Sequence, residues 1–210
     1  MNNMNKLNYA LGLYVGSYML KCGIEGIDSP EDFMTGIKDV LAGADWRITD
    51  KEVDNELQNY FEAVIKKKED EAKKESEENL KKGEEYLKEN AGKEGVKVTD
   101  SGLQYKVIQE GMIMKWPNPH SRVRVHYEGR LIDGTVFDSS YQRGEPVEFG
   151  LDQVIPGWAE GLCLMKPGAK YEFAMPAKLG YGEVGVPGRI PGNSVLIFTV
   201  ELLDILDTVL

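Results

Sequence analysis

Tyr127 and Asp138 are the first side chains whose positions in the sequence suggest a functional site. Apolar and polar residues alternate over residues 122–131, which predicts a strand with Tyr127 on its buried face and His126 on its outer face. A buried tyrosine hydroxyl needs a hydrogen-bond partner. Asp138 follows a turn signal at Asp133-Gly134, so we predict that the Asp138 carboxylate is that partner.

The other reactive side chains form no familiar catalytic or metal-binding pattern. Cys22 and Cys163 are far apart and lie in no paired motif, so neither a disulfide framework nor a zinc site is predicted. His120 and His126 have no cysteine or acidic cluster at ligand spacing. We therefore expect no metal and no cofactor.

A glycine pattern at residues 180–185 matches the GxGxxG of nucleotide-binding loops. In those loops a helix opens directly after the glycines. Here Pro187 and Pro191 follow, and proline disrupts a helix beyond its first turn. A nucleotide site is therefore not predicted.

The composition is that of an ordinary globular protein with an acidic surface. Apolar residues make up 41% and charged residues 29%, and the formal net charge is −10. Such a charge repels phosphate backbones and anionic lipid, so neither nucleic acid nor a membrane is an expected partner. The apolar run at residues 7–20 is too short to cross a bilayer. We predict a cytoplasmic protein, or a periplasmic one if a signal peptide was removed ahead of Met1.

The chain divides into two halves of different character. Residues 1–92 contain one proline and show helical periodicity, whereas residues 93–210 contain the other eight prolines and short alternating runs. Gly92 is well placed to end a helix. We predict a helical domain at 1–92 and a β-rich domain at 93–210, with strands at 103–110, 122–131, 170–175 and 195–203.

Three helices are predicted in the first half. The first covers residues 6–22, and the second begins with the cap Ser29-Pro30 and ends near residue 41. The third begins with a Thr49–Glu52 capping box and continues to about residue 91. Its stretch 66–79 is polar on all sides, which predicts a free-standing helix that connects two domains over about 60 Å.

The first helix has an apolar face that includes Leu7, Leu11 and Tyr18. Together with the second helix and the start of the third, it carries more apolar surface than about 65 residues bury easily alone. We therefore predict a homodimer formed through residues 1–65. A small monomeric helical subdomain packed on itself is the alternative.

Seven short motifs follow one another in the second half: VHYEG at 125–129, GTVFDSS at 134–140, VIPGW at 154–158, MKPG at 165–168, GYG at 180–182, IPGNS at 190–194 and LIFTVEL at 196–202. Together they resemble the FKBP-type peptidyl-prolyl cis/trans isomerases. The first half resembles the bacterial macrophage-infectivity-potentiator subgroup, which has a helical dimerisation domain and a long connecting helix. That resemblance rests on KLNYALG at 6–12, the Lys/Glu-rich helix and SGLQYKV at 101–107.

The resemblance implies an α+β fold: an N-terminal helical dimerisation domain, a long connecting helix, and a twisted antiparallel sheet of five or six strands wrapped on a short helix. It also implies a pocket with Trp158 as its floor. The catalytic residues implied are Tyr127, Phe137, Asp138, Trp158, Tyr181 and Phe198. The substrate-binding residues expected are Arg143, Val147, Phe149, Val154, Ile155 and Ile190. Taken alone, Trp158 and Phe198 would more often be core residues than pocket residues.

The implied activity is acceleration of X-Pro isomerisation in folding proteins, with chaperone-like binding of proline-containing unfolded or partly folded chains. The alternative is a chaperone module that binds proline segments with little catalytic turnover. The family also binds macrolides. Val147 stands where the family often has phenylalanine, and Val186 and Arg189 replace a histidine and an isoleucine. These differences affect the expected macrolide affinity and the preference for the residue before proline.

Overall fold

A computed structural model describes residues 5–24 and 26–206, which form two compact units that meet between Glu69 and Asp70. The α-helices are α1 (Lys6–Lys21), α2 (Pro30–Ala42), α3 (Asp50–Ala91), α4 (Ser140–Arg143) and α5 (Pro156–Cys163). The strands are β1 (Val96–Val98), β2 (Gln104–Gln109), β3 (Arg122–Arg130), β4 (Val136–Ser139), β5 (Val147–Gly150), β6 (Lys170–Met175) and β7 (Leu196–Ile205). The α+β class is confirmed, and the described chain has seven strands where five or six were expected.

Local capping fixes the helix ends of the first unit. The Ser29 hydroxyl accepts the Asp32 N–H at the start of α2, and Gly43 ends that helix in the left-handed conformation with φ 63°. At the start of α3, Glu52 accepts the Thr49 N–H at 2.8 Å and Thr49 Oγ1 accepts the Glu52 N–H at 3.3 Å. The predicted capping box is therefore confirmed.

Within one chain, α1 and α2 bury none of their residues. Leu7 is 67% exposed, Tyr14 is 72% exposed and Leu41 is 82% exposed. A stable helical unit must cover a face of this kind against another apolar surface.

The second unit contains one antiparallel sheet with the strand order β1-β2-β6-β7-β3-β4. The long β3 lies beside β7 on one edge, and on its other edge it pairs first with β5 and then with β4. As predicted from alternation, Val123, Val125 and Tyr127 of β3 are buried.

Helix α5 packs directly on this sheet because small residues face the strands. A Cβ at Gly161 would lie 2.7 Å from Phe173 Cε1, and one at Gly157 would lie 2.8 Å from Met175 Sδ. Pro156 occupies the first turn of α5, where its missing N–H costs no helical hydrogen bond. The close approach places Trp158 against the inner face of the sheet.

The second half of α3 belongs to the same unit as the sheet. Its Ser76 and Asn79 side chains donate hydrogen bonds to the carbonyl oxygens of Glu183 and Gly192. The expectation that residues 66–79 are surrounded by solvent alone is therefore wrong at these two positions. The sequence division at 92/93 marks the change from helix to strand, whereas the compact units divide earlier, within α3. No helix in the described part of the chain is long and apolar enough to cross a membrane.

Candidate active site

A cavity of about 300 Å³ opens between the sheet and the first turn of α5. Strands β3, β4, β5 and β7, helix α5 and the segment after β6 all contribute side chains to it. Its lining consists of Tyr127, Phe137, Asp138, Phe149, Gln153, Val154, Ile155, Trp158, Tyr181 and Phe198. The lining is therefore mostly aromatic and aliphatic, with one carboxylate.

The Trp158 indole, buried to 5% exposure, forms the floor of this cavity. Three rings meet it edge to face: Tyr127 at a centroid distance of 5.0 Å, Phe198 at 5.3 Å and Phe149 at 5.4 Å. Each such pair contributes about 0.5–1.5 kcal/mol beyond the burial of its surface. The ring cluster therefore holds a fixed apolar surface.

Gly129 of β3 makes room for two of the wall rings. A Cβ at this position would lie 2.6 Å from Phe198 Cε1 and 2.7 Å from Phe137 Cε2, both closer than real Cβ contacts. Phe137 and Phe198 themselves pack edge to face with centroids 5.5 Å apart. The absent side chain at Gly129 thus allows both rings to cover β3 beside the cavity.

The polar edge of the cavity is a triangle formed by Tyr127, Asp138 and Arg143. The Tyr127 hydroxyl donates to Asp138 Oδ2 at 2.6 Å, and Arg143 Nη2 donates to the same hydroxyl at 2.9 Å. A second guanidinium nitrogen of Arg143 pairs with Asp138 Oδ1. The predicted Tyr127–Asp138 partnership is therefore confirmed, and Arg143 completes it.

The short helix α4 brings Arg143 to this edge. Ser139 caps the one-turn helix α4 by accepting the Gln142 N–H. The fully buried Ser140 hydroxyl accepts the Tyr127 N–H at 2.8 Å and lies 3.0 Å from His126 Nδ1. Helix α4 is therefore fastened to the backbone of β3 next to Tyr127.

Burial raises the pKa of Asp138, but the hydrogen bonds from Tyr127 and Arg143 and the positive charges of Arg143 and Arg189 outweigh burial. The net pKa of Asp138 is below its usual value. Burial, followed by the hydrogen bond to Asp138, raises the pKa of Tyr127. At neutral pH the triangle therefore consists of a carboxylate, a neutral phenol and a guanidinium.

Of the twelve predicted site residues, the structure brings nine to the cavity wall and adds Arg143 through its hydrogen bonds. The other two, Val147 and Ile190, do not line it. Ile190 is buried in the core at 6% exposure, where its backbone pairs with that of Val186. Val147 is half-buried against the core, two residues before Phe149 in β5.

Gln153 lines the cavity and was not predicted from the sequence. It lies in a short 3-10 turn directly before Val154, and nothing in its residue type marks it as a wall residue. The Ile155 backbone N–H lies at the N-cap of α5, where helical geometry supplies no intrahelical acceptor. That N–H could therefore bind a carbonyl oxygen from outside the helix.

Among the described residues no group of three or more His, Cys, Asp or Glu side chains could hold a metal ion. The cavity wall offers rings, aliphatic side chains and one already paired carboxylate. Chemically, such a site can enclose a small apolar ring, exclude water around it and orient a neighbouring carbonyl. Its one hydroxyl–carboxylate pair, Tyr127 and Asp138, is bound on both members by Arg143.

Comparisons with known proteins agree with this geometry. The family model described as "FKBP-type peptidyl-prolyl cis-trans isomerase" matches residues 114–203. The model described as "Domain amino terminal to FKBP-type peptidyl-prolyl isomerase" matches residues 4–107.

Curated relatives match nearly the whole chain. It is 46% identical over 203 residues to the FKBP-type 22 kDa peptidyl-prolyl cis-trans isomerase of Escherichia coli, covering 95% of this chain and 94% of the relative. It is 43% identical over 201 residues to the peptidyl-prolyl cis-trans isomerase Mip of Coxiella burnetii, covering 96% and 86%.

Among solved structures, the crystal structure of FkpA from Escherichia coli matches with a TM-score of 0.77 at 40% identity and covers 97% of both chains. The resemblance read from the motifs is confirmed by these matches over both halves of the sequence. The chain belongs to the FKBP-type peptidyl-prolyl cis-trans isomerases, and its enzymatic activity is that of this family.

Proposed function

We propose that X-Pro bonds isomerise in the aromatic cavity over Trp158. The observation that supports this assignment is the enclosure of one small apolar volume by rings from four strands and α5. A proline ring is the apolar group that every substrate of this reaction shares. In this proposal Trp158 contacts the proline ring from below, and Phe137, Phe149, Val154 and Phe198 surround it.

The chemistry of the reaction suits such a cavity. The barrier to rotation of about 18–20 kcal/mol arises mainly from lost amide resonance. A twisted amide is less charge-separated than a planar one, so an apolar enclosure disfavours the ground state more than the transition state. No proton has to be abstracted and no bond to the enzyme has to form.

The polar edge then acts by orientation. Arg143 holds Asp138, and both hold the Tyr127 hydroxyl at a fixed place on the cavity rim. We propose that the Ile155 N–H donates a hydrogen bond to the substrate carbonyl. The Tyr127 hydroxyl contacts the bound chain at the rim of the cavity. In this assignment Asp138 positions other groups and is not a general base.

The experiment is an isomerisation assay on a short cis-proline peptide with the full chain. Asp138→Ala removes hydrogen bonds to a charged group, which are worth about 1.5–3 kcal/mol, so kcat/KM should fall about 10- to 100-fold. Glu148→Ala is the matched control, because Glu148 forms an ion pair with Arg124 on the outer edge of β3. If Asp138→Ala is as active as Glu148→Ala, the assignment of isomerisation to this cavity is wrong.

Proline-containing unfolded chains are the proposed clients, and macrolides the proposed competitors. Phe149 lines the cavity, whereas Val147, two residues earlier in β5, does not. Arg189 donates to the Phe137 carbonyl at 2.9 Å, which fastens the loop after Tyr181 to the rim. We propose that this contact modifies the preference for the residue before proline.

We also propose that the protein is a homodimer joined through residues 1–65. The apolar faces of α1 and α2 are exposed in a single chain. In addition, a groove of about 450 Å³ runs between α2 and the start of α3, and Val40, Trp46, Ile48 and Val53 contribute its apolar lining. A second copy would cover these surfaces with the same residue types. Residues 1–4 and 25 of the predicted dimer interface, and residues 207–210 of the predicted second domain, lie outside the described residues.

A second candidate role is the holding of unfolded clients outside the cavity. It is favoured by the loop between β2 and β3, where Met112 is 93% exposed, Met114 74% and Ile113 58%. Flexible methionine side chains adapt to varied apolar partners. Met112→Ser/Met114→Ser should then weaken suppression of client aggregation while leaving peptide isomerisation unchanged. Unaltered suppression would exclude this loop as the client-binding surface.

The cytoplasmic location stays a prediction.

A further inference from the structure

The second half of α3 lies against the sheet along one face. At its end, Asn90 Nδ2 donates to Gln104 Oε1 at 2.9 Å, and Gln104 Nε2 donates to the Leu87 carbonyl at 2.8 Å, with Asn90 and Gln104 both buried. About two turns before Asn90, Gly83 is buried so closely against the residue before β7 that a Cβ would lie 2.7 Å from Val195 Cγ2. The helix is therefore fixed to the strands over this span.

Further toward its N-terminus the same face of α3 contacts a loop instead of a strand. Ser76 Oγ donates to the Glu183 carbonyl at 3.3 Å and accepts from Asn193 Nδ2 at 2.9 Å. Asn79 Nδ2 donates to the Gly192 carbonyl at 3.2 Å. Two polar side chains of α3 thus bind the loop formed by residues 182–193 near both of its ends.

That loop carries part of the cavity wall on its other side. Tyr181, which lines the cavity, directly precedes it. The loop closes on itself where the Asn193 N–H donates to the Gly182 carbonyl at 2.9 Å, with Asn193 in the left-handed conformation at φ 54°. Its tip reaches the rim through the bond from Arg189 to the Phe137 carbonyl. The loop therefore lies between α3 and the candidate active site.

Residue choice in α3 is consistent with a role for these contacts. Serine and asparagine are poorer helix formers than the lysine and glutamate that fill the surrounding turns. Ser76 and Asn79 are also less exposed than their immediate neighbours in the helix. Both amino acids can bind backbone groups at short range, which a longer charged side chain does less well.

We propose that Ser76 and Asn79 are positioning residues for isomerisation: through loop 182–193 they hold the Tyr181 side of the cavity in its binding geometry. The inference rests on the proposed function of the cavity. Neither residue touches the cavity, so each acts only through the loop. The connecting helix is then part of the substrate-binding machinery.

The test uses the full-length Ser76→Ala/Asn79→Ala variant and cis-proline peptides that differ in the residue before proline. KM should rise about three- to tenfold, because the variant loses three neutral hydrogen bonds to the loop and part of their free energy is lost from substrate binding. We expect kcat to change less than twofold. The rise should differ among the peptides. Amide hydrogen exchange should accelerate at Ile190 and Asn193, whose N–H groups bond within the loop.

Two further variants make the result interpretable. Glu78→Ala removes an exposed contact to Lys82 from the same stretch of α3 and should keep wild-type KM. Ser76→Thr keeps the hydroxyl, so its KM should rise much less than that of the single variant Ser76→Ala. An unchanged KM in the double variant, or a faster exchange spread evenly over the sheet, would overturn the proposal. If Asp138→Ala is also indistinguishable from wild type in the same assay, the cavity assignment itself has failed.

Discussion

At the scale of single residues, Asp138 is the one carboxylate among the side chains that line the cavity. Its two oxygens are engaged by the Tyr127 hydroxyl and by Arg143, and its pKa is lowered by these bonds despite burial. A general base would need a free lone pair facing the substrate and a pKa near the working pH. The geometry instead favours a fixed, ionised side chain that orients its neighbours.

This environment predicts a pH-independent contribution to activity. Because the pKa of Asp138 is lowered, the carboxylate stays ionised over the range from about pH 5 to pH 8. The ratio of kcat/KM between wild type and Asp138→Asn should therefore be constant across that range in the peptide assay. A ratio that rises with pH through a single titration would indicate a proton-transfer role.

The same lowered pKa makes a prediction about stability. A carboxylate with a lower pKa in the folded state stabilises the fold above its unfolded pKa of about 3.9, and the effect is lost as pH falls through the folded pKa. The unfolding free energy of wild type should thus exceed that of Asp138→Asn most clearly near pH 6. The difference should shrink below about pH 4 in urea titrations, and a difference that grows on acidification would contradict this account.

At the scale of elements, Gly83 is the residue at which α3 comes close to Val195, the residue before β7. Gly83 in the middle of a helix costs about 1 kcal/mol relative to alanine, so its presence needs a compensating reason. The reason is the buried contact with Val195, whose β-branched side chain has little freedom to move away. At this position helix propensity therefore favours alanine, whereas packing against Val195 favours glycine.

We predict that packing dominates. Gly83→Ala should destabilise the protein by about 1 kcal/mol, because overpacking costs about 1–3 kcal/mol and the propensity gain offsets part of it. Urea unfolding of the full chain measures the change. In a Val195→Ala background the extra methyl has room, so Gly83→Ala should there be neutral or stabilising. A stabilising Gly83→Ala in the wild-type background would show that the contact is loose.

Sequence patterns predicted some elements well for physical reasons. Strand β3 alternates between buried and outward residues, so its span and the buried face of Tyr127 followed from period two alone. The caps of α2 and α3 are short-range hydrogen bonds, and both are confirmed. The ring cluster, in contrast, was predicted only through the family resemblance.

Other features could not be predicted because their cause is long-range. Ser76 and Asn79 are polar, which suits solvent and a polar loop equally, so periodicity could not detect their contacts with residues more than 100 positions away. Gln153 became a wall residue through the turn that places it, and not through its type. Val147 and Ile190 are apolar residues beside the cavity, and only the backbone path distinguishes the core from the cavity wall.

At the scale of the whole molecule, the exposed helical faces predict the assembly. Sedimentation equilibrium at micromolar concentration should give twice the chain mass of 23.5 kDa. Leu11→Glu, on the apolar face of α1, should shift the mass toward 23.5 kDa because a buried unpaired charge is costly. Asn55→Glu, on the polar side of α3, is the control and should leave the mass unchanged. A wild-type protein of 23.5 kDa would contradict the proposed dimer.

The shared helix also decides where the chain can be cut. A fragment that starts at Lys93, three residues before β1, would lack Gly83, which packs on Val195, and Asn90, which bonds to the Gln104 amide. Apolar surface would then be newly exposed, and loop 182–193 would lose its bonds to Ser76 and Asn79. A minimal catalytic fragment should therefore begin near Asp70 and retain 22 helical residues, Asp70–Ala91, that a cut at the sheet would discard.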